Sequence, residues 1–244
     1  MRAGLRELAG TPGGAPAALV EVMDEREPLA EAALSLIEGA FRRLDRQPTA
    51  ELRSEIAEKR LELLTALDFH LLVALSSEGE AMGTISGLYL EGVNAGFVTY
   101  LAVAPRFQGR RVAPALRTGL VQIFREDARR AGFPELDWVL GEVRRESRWL
   151  QRLLEKRGVH TFHLQYFHPG MTPGTPHDEY ILYRQPVGDH RPELPVPLVR
   201  RILYAIYRRG YRVRYPLQRP GFQHMLEELE GRETVGPFPG LEAR

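Results

Sequence analysis

The stretch VTYLAVAPRFQGRRVA, residues 98–113, passes from an apolar, β-branched run through a Gly- and Arg-containing turn into PALRTGLVQIFREDARRAG, residues 114–132. The first part reads as a strand ended by Pro105. The last reads as an amphipathic helix with Pro114 in its first turn, where proline is well tolerated. A helix start leaves backbone N–H groups unbonded, and its dipole attracts anions. Such a turn suits a polyphosphate, with Arg110 or Arg111 available to neutralise charge. Gly109 is not followed by a GK[ST] element, and the repeated glycines of a dinucleotide fingerprint are absent, so kinase and Rossmann dehydrogenase readings fall behind.

Outward from this turn the chain alternates between the two periods. Residues 17–23 form the first strand candidate, after a flexible lead-in at 10–16. Leu29, Ala33, Leu36, Ile37, Ala40, Phe41 and Leu44 then recur at helical spacing. Pro48 punctuates the chain, and Leu52, Ile56, Leu63, Leu64 and Leu67 support a second helix before Asp68. Strands are predicted at 69–75, 82–90 and 97–103, with Gly83 and Gly87 weakening the second of them. Beyond the central helix follow a strand at 136–143, a helix at 148–156, and strands at 160–167 and 180–183. The pattern predicts a mixed α/β fold rather than a bundle.

The loop HPGMTPGTPHDE, residues 168–179, resists a regular helix, and a Pro-punctuated connector at 185–197 leads into a helical element near Leu198. Two parts are therefore expected: a domain over 17–185 and a basic, helical appendage over 194–244. Between Leu194 and Met225 stand seven arginines, namely Arg200, Arg201, Arg208, Arg209, Arg212, Arg214 and Arg219, and no acidic residue. The plain reading of that run is a solvated helix face or a partner for the acidic first helices; an anionic substrate or membrane surface is the alternative.

The whole chain of 244 residues is nearly neutral, with 33 Lys and Arg against 32 Asp and Glu and a net charge of +1. That balance gives no clear nucleic-acid signal. Cysteine is absent, which excludes thiol chemistry, and no Cys/His arrangement suggests a metal. No apolar run reaches membrane-spanning length and the first residues lack the apolar core of a leader, so a soluble cytoplasmic protein is the simplest expectation. A homodimer is left open.

The larger constellation resembles the GCN5-related N-acetyltransferase (GNAT) superfamily. The family's strand-to-helix region commonly reads V-x-P and then [R/Q]-x-x-G-x-[G/A]; the counterparts here are Val103, Ala104 and Pro105, then Gln108, Gly109, Arg110, Arg111, Val112 and Ala113. Arg111 stands where the family usually has Gly. A weaker echo lies in RESRWLQRLLEKRGV, where Ser147, Leu154, Lys156, Gly158 and Val159 take the places of the family's Asn, Tyr, Lys, Gly and Phe. The usual Tyr proton donor is thus missing.

The resemblance runs roughly from Ala17 to Arg184 and implies a mixed, mostly antiparallel sheet with a V-shaped split between its fourth and fifth strands, plus the C-terminal helical extension. It implies acetyl-CoA or another acyl-CoA as co-substrate. The peptide groups of Leu101, Ala102 and Val103 would hold the pantetheine arm, and those of residues 108–113 the pyrophosphate. The activity implied is transfer of an acetyl group to an amine of a small molecule or peptide by direct attack. Orientation and a peptide N–H aimed at the developing oxyanion supply much of such catalysis.

Glu142, near the end of the proposed fifth strand, is the leading general base, directly or through water, with pairing to Arg144 or Arg145 as its structural alternative. Tyr100 is either core packing or a proton donor that shapes the acceptor site. Tyr166 offers a phenol for the departing thiolate in place of the missing one, again against a packing role. His160 and His163 add imidazoles near the cleft. Two further readings belong to other classes: an acyl-CoA-binding regulatory protein without efficient turnover, and a protein-interaction module using the Arg-rich appendage.

Overall fold

The computed structural model describes residues 5–8, 16–42, 46–63, 69–170, 180–239 and 241. The chain is a mixed α/β protein with a mostly antiparallel sheet. It divides into two compact units, Met1–Tyr89 with Val98–Ala131, and Leu90–Phe97 with Gly132–Arg244.

In the first unit the strands β1 (Leu5–Leu8), β2 (Ala18–Val22), β3 (Phe69–Leu75), β4 (Ala81–Leu90) and most of β5 (Ala95–Val103) lie side by side in chain order. Val20 pairs with Val73 and Leu72 with Ile85, both antiparallel. Helix α1 (Pro28–Ala40) begins on a proline and buries Ala30, Ala33, Leu34 and Ile37, the i, i+3, i+4, i+7 stripe of a surface helix. These residues, with Leu52 and Ile56 of α2 (Thr49–Arg60), pack on Phe69, Leu71 and Val73 of β3. Helix α2 ends sooner than its apolar spacing predicts: Leu61 caps it, Glu62 turns to φ 55°, and Leu63 is 65% exposed. Leu44, Leu64, Leu67 and the lead-in up to Ala15 lie outside the described residues.

Helix α3 (Val112–Arg130) starts two residues before the predicted proline. Its inward face carries Leu116, Leu120, Ile123 and Phe124, and also Asp127. Asp127 Oδ2 lies 2.9 Å from Nε2 of His70, whose Nδ1 lies 2.5 Å from Glu21 Oε1, while Lys59 Nζ also reaches Glu21 at 2.5 Å. A buried imidazole between two carboxylates is thereby built from β2, β3 and α3, with Lys59 Nζ 3.0 Å from its Nδ1. Gly83 of β4, which looked like a flaw in a strand, has a packing cause: a Cβ there would stand 2.8 Å from the carbonyl oxygen of Ala102 and 3.0 Å from Val112 Cγ1.

The second unit contains β6 (Trp138–Arg144), α4 (Arg148–Arg157), β7 (His160–Thr161) and β8 (Tyr180–Pro186). Strand β8 runs antiparallel between β6 and β7, with Glu142 opposite Leu182 and Thr161 opposite Tyr183. The strand predicted at 160–167 is shorter than expected. Phe162 N–H still donates to Leu182 O, but His163 N–H turns to Gly236 O, and only an isolated bridge from Tyr166 to Tyr180 follows. Residues 171–179 of the Pro-rich loop lie outside the described residues.

The C-terminal residues belong to the same compact unit. Helix α5 (Val196–Ala205) buries Val196, Val199, Ile202 and Leu203, passes into one π-turn at Ile206–Gly210, and is followed by α6 (Pro220–Glu228). The short strands β9 (Leu194–Pro195) and β10 (Thr234–Val235) clasp the two ends together. Buried Arg184 of β8 ties the connector down by donating to the carbonyls of Arg191 and Pro192. None of the described helices is long and apolar enough to cross a membrane.

Candidate functional site

In the first unit, β5 ends in a short 3-10 turn at Pro105–Phe107, and the chain then takes two left-handed steps, Gly109 at φ 81° and Arg111 at φ 58°. Glycine adopts that conformation freely; an L-residue with a side chain does so at a cost of about 1–2 kcal/mol. Arg111 is the N-cap of α3 and supplies no side-chain cap to the first amides of a five-turn helix, while just before it Gln108 N–H and Arg110 N–H donate to Pro105 O and Phe107 O. Gln108, Gly109, Arg110 and Arg111 are exposed, Ala113 is half-buried and Val112 is buried. Arg110 lies 5.7 Å and Arg106 5.0 Å from the centre of the Phe107 ring, and Arg106 also pairs with Glu80. This is a helix start without a side-chain cap, beside exposed Arg110 and Arg111, suited to a diphosphate.

Upstream, Leu101 and Val103 are half-buried and Ala102 is buried. Tyr100 points into the α1 and α2 cluster: its ring meets Phe41 edge-on at 5.2 Å, and its hydroxyl accepts the N–H of Gln47 at 2.8 Å.

In the second unit, Glu142 projects from β6 into a ring of aromatic groups, its side chain 7% exposed. Tyr211 OH donates to Oε1 at 2.7 Å, and His168 Nε2 lies 3.6 Å from the same oxygen. The other oxygen, Oε2, is buried without a hydrogen-bond partner, as are Tyr166 OH and His168 Nε2. Burial raises the Tyr166 phenol well above its usual range, and the carboxylate of Glu142 adds to the effect. Burial and the same carboxylate also raise Tyr207. Both phenols therefore stay neutral and remain hydrogen-bond donors. Glu142 and Tyr166, far apart in sequence, are brought to one spot. The expected alternative for Glu142, pairing with Arg144 or Arg145, is not seen among the described residues: Arg144 Nε reaches Tyr180 OH at 3.4 Å, and Arg145 covers the Phe238 ring at 4.7 Å.

The two histidines singled out from sequence lie apart from this spot. His163 is exposed and packs on Phe238, while half-buried His160 sits opposite Arg184, and burial with the neighbouring guanidinium lowers its pKa. His168 and Tyr211 take the places beside Glu142 instead. Sequence offered little for either: one opens a Pro- and Gly-rich loop, and the other stands inside the Arg run. Leu154, at the position of the family's Tyr, is packed with Leu150, Leu153, Ile181 and Tyr183. Among the described residues no cluster of three potential metal ligands exists.

The model of the acetyltransferase (GNAT) family matches residues 34–159. No curated protein matches the chain. Solved structures share its fold at low identity. One described as a GNAT-family acetyltransferase from Desulfovibrio desulfuricans is 16% identical, with a TM-score of 0.50 over 69% of this chain and 98% of that one. Another, described likewise, from Bacteroides thetaiotaomicron is 13% identical, with a TM-score of 0.53 over 76% and 93%.

Proposed function

Since the chain belongs to the GNAT acetyltransferase family, we propose that it is an acyl-CoA-dependent N-acyltransferase, moving an acetyl group from acetyl-CoA to a primary amine of a small molecule or peptide. The observation that carries this reading is the turn into α3. It takes two left-handed steps, at Gly109 and Arg111, into a helix start that no side chain caps and that exposed Arg110 and Arg111 flank. The amides of Gly109 and of residues 111–113, with the side chains of Arg110 and Arg111, hold the CoA diphosphate, while Gln108 N–H and Arg110 N–H brace the turn on Pro105 O and Phe107 O; the peptide groups of Leu101, Ala102 and Val103 hold the pantetheine arm. Acetyl-CoA supplies the activated acyl group.

Transfer forms a C–N bond and breaks the thioester C–S bond; the amine gives up a proton and CoA leaves as the thiol. Glu142 takes the amine proton, directly or through one water, through the oxygen that has no partner. Tyr166, neutral and beside that carboxylate, is the available phenol for the departing sulfur, since Leu154 has no proton to give. Leu154 favours a second reading, an acyl-CoA-binding regulatory protein without efficient turnover.

One experiment separates the two. Purified protein is mixed with acetyl-CoA and a panel of primary amines, and thiol release is followed. Amine-dependent release that falls about 100-fold in Glu142→Gln, with acetyl-CoA affinity retained, is the expected outcome. Tight acetyl-CoA binding without release for any amine supports the regulatory reading.

A further inference from the structure

We infer that Tyr211, from the C-terminal extension, is a positioning residue for Glu142, so that the extension completes the catalytic site. This rests on the transfer reading above. Tyr211 lies outside the residues matched by the family model, 34–159.

The carboxylate has two oxygens in different situations. Oε1 accepts from Tyr211 OH at 2.7 Å, and Oε2 is buried and unpartnered. His168 Nε2, at 3.6 Å, is too far to share the bond to Oε1. One phenol therefore fixes the rotation of the carboxylate, and the free oxygen is the one left to take a proton. Among the described residues, four ionisable side chains face Glu142: Tyr166 and His168 from the segment before β8, and Tyr207 and Tyr211 from the π-turn that follows α5 and its cap. Among these described residues, Tyr211 is the one that makes a hydrogen bond to it within ordinary length.

The extension is shaped to deliver that hydroxyl. The π-turn closes with Tyr211 N–H on Ile206 O at 3.0 Å, an i to i+5 bond. Gly210 lets the turn press against Phe97, since a Cβ there would stand 2.9 Å from the ring. The Tyr211 ring is then held edge-on by Phe97 at 5.8 Å and by His168 at 4.8 Å. One turn earlier, Tyr207 OH donates to the carbonyl of Phe167, fixing the segment that carries Tyr166 and His168. A phenol held on both sides costs little further ordering when it hydrogen-bonds a carboxylate.

The test compares wild type, Tyr211→Phe, Glu142→Gln and the double variant, using whichever of n-butylamine, spermidine or a lysine-containing peptide releases CoA fastest. Assays at 15 °C, with near-UV circular dichroism on each protein, keep folding out of the comparison. Tyr211→Phe is expected to lower kcat about 10-fold or more, consistent with a hydrogen bond to a charged group, while KM for acetyl-CoA stays within two-fold. The double variant should be no slower than Glu142→Gln. A Tyr211→Phe enzyme with wild-type kcat, one whose KM for acetyl-CoA changes as much as its kcat, or losses that multiply in the double variant, would overturn the inference. Wild type that releases no CoA with any amine counts against the transfer reading itself, and the positioning role goes with it.

Discussion

Glu21 and His70 meet at 2.5 Å inside the first unit, and the other ring nitrogen of His70 lies 2.9 Å from Asp127. Burial alone would raise the Glu21 carboxyl, but the hydrogen bond and charge of His70, with Lys59, hold it down to about 2 from 4.5. Burial and Lys59 press the His70 pKa down, yet the two carboxylates outweigh them and it rises above 6.5. A depressed carboxyl contributes stability above pH 4.5 that is lost as pH falls toward 2. A raised imidazole contributes stability below pH 6.5 that is lost as pH climbs through the raised value. Melting temperature should therefore peak between pH 4.5 and 6.5. In His70→Gln the fall on the alkaline side should disappear, on a protein less stable by about 1–3 kcal/mol because two buried carboxylates lose the imidazole they share, while Lys59 still pairs with Glu21 and Arg130 with Asp127. A scan of thermal melts against pH for both proteins reads this directly.

Arg111 holds a left-handed backbone that glycine would adopt more easily. Arg111→Gly should leave the melting temperature unchanged or raise stability by up to about 1 kcal/mol, while weakening acetyl-CoA binding about 3- to 10-fold through the lost cation. Titration calorimetry at two salt concentrations checks it: the difference from wild type should shrink as ionic strength rises.

Gly210 has no room for a methyl group, and the obstruction is the Phe97 ring rather than backbone strain. Gly210→Ala should cost about 1–3 kcal/mol by overpacking. Adding Phe97→Leu should recover part of that loss. Denaturant melts of the two single variants and the double variant measure the coupling.

Tyr100 accepts a buried backbone N–H from Gln47. Tyr100→Phe should cost about 1–3 kcal/mol, because that donor is left without its partner, while kcat stays within two-fold. A ten-fold loss of kcat at unchanged melting temperature would instead give the phenol a part in proton transfer.

The order of strands and helices is legible in the sequence because burial imposes its period there: Ala30, Ala33, Leu34 and Ile37 announce α1, and the apolar run of β3 announces a strand covered on both faces. The turn at Gly109 is equally legible, and so is the absence of a phenol at Leu154. Periodicity cannot say which sheet face Tyr100 takes, or where 160–167 leaves the sheet, since a hydrogen bond to the distant Gly236 decides the latter. Glu142 could be suspected from its place on a strand, whereas its partner Tyr211 is 69 residues away, in a run whose dominant signal is charge. A side chain that matters for its one distant hydrogen bond leaves no local pattern.

The π-turn at Ile206–Gly210 makes the chain sensitive to length as well as to composition. One extra residue in a helical turn advances everything after it by roughly 100° around the axis. Deleting a single residue from this turn would restore ordinary helix geometry, keep every remaining side chain intact, and still swing the following tyrosine away from its carboxylate. Among descendants of this sequence, insertions and deletions at 206–210 should therefore be rarer than substitutions at the same positions.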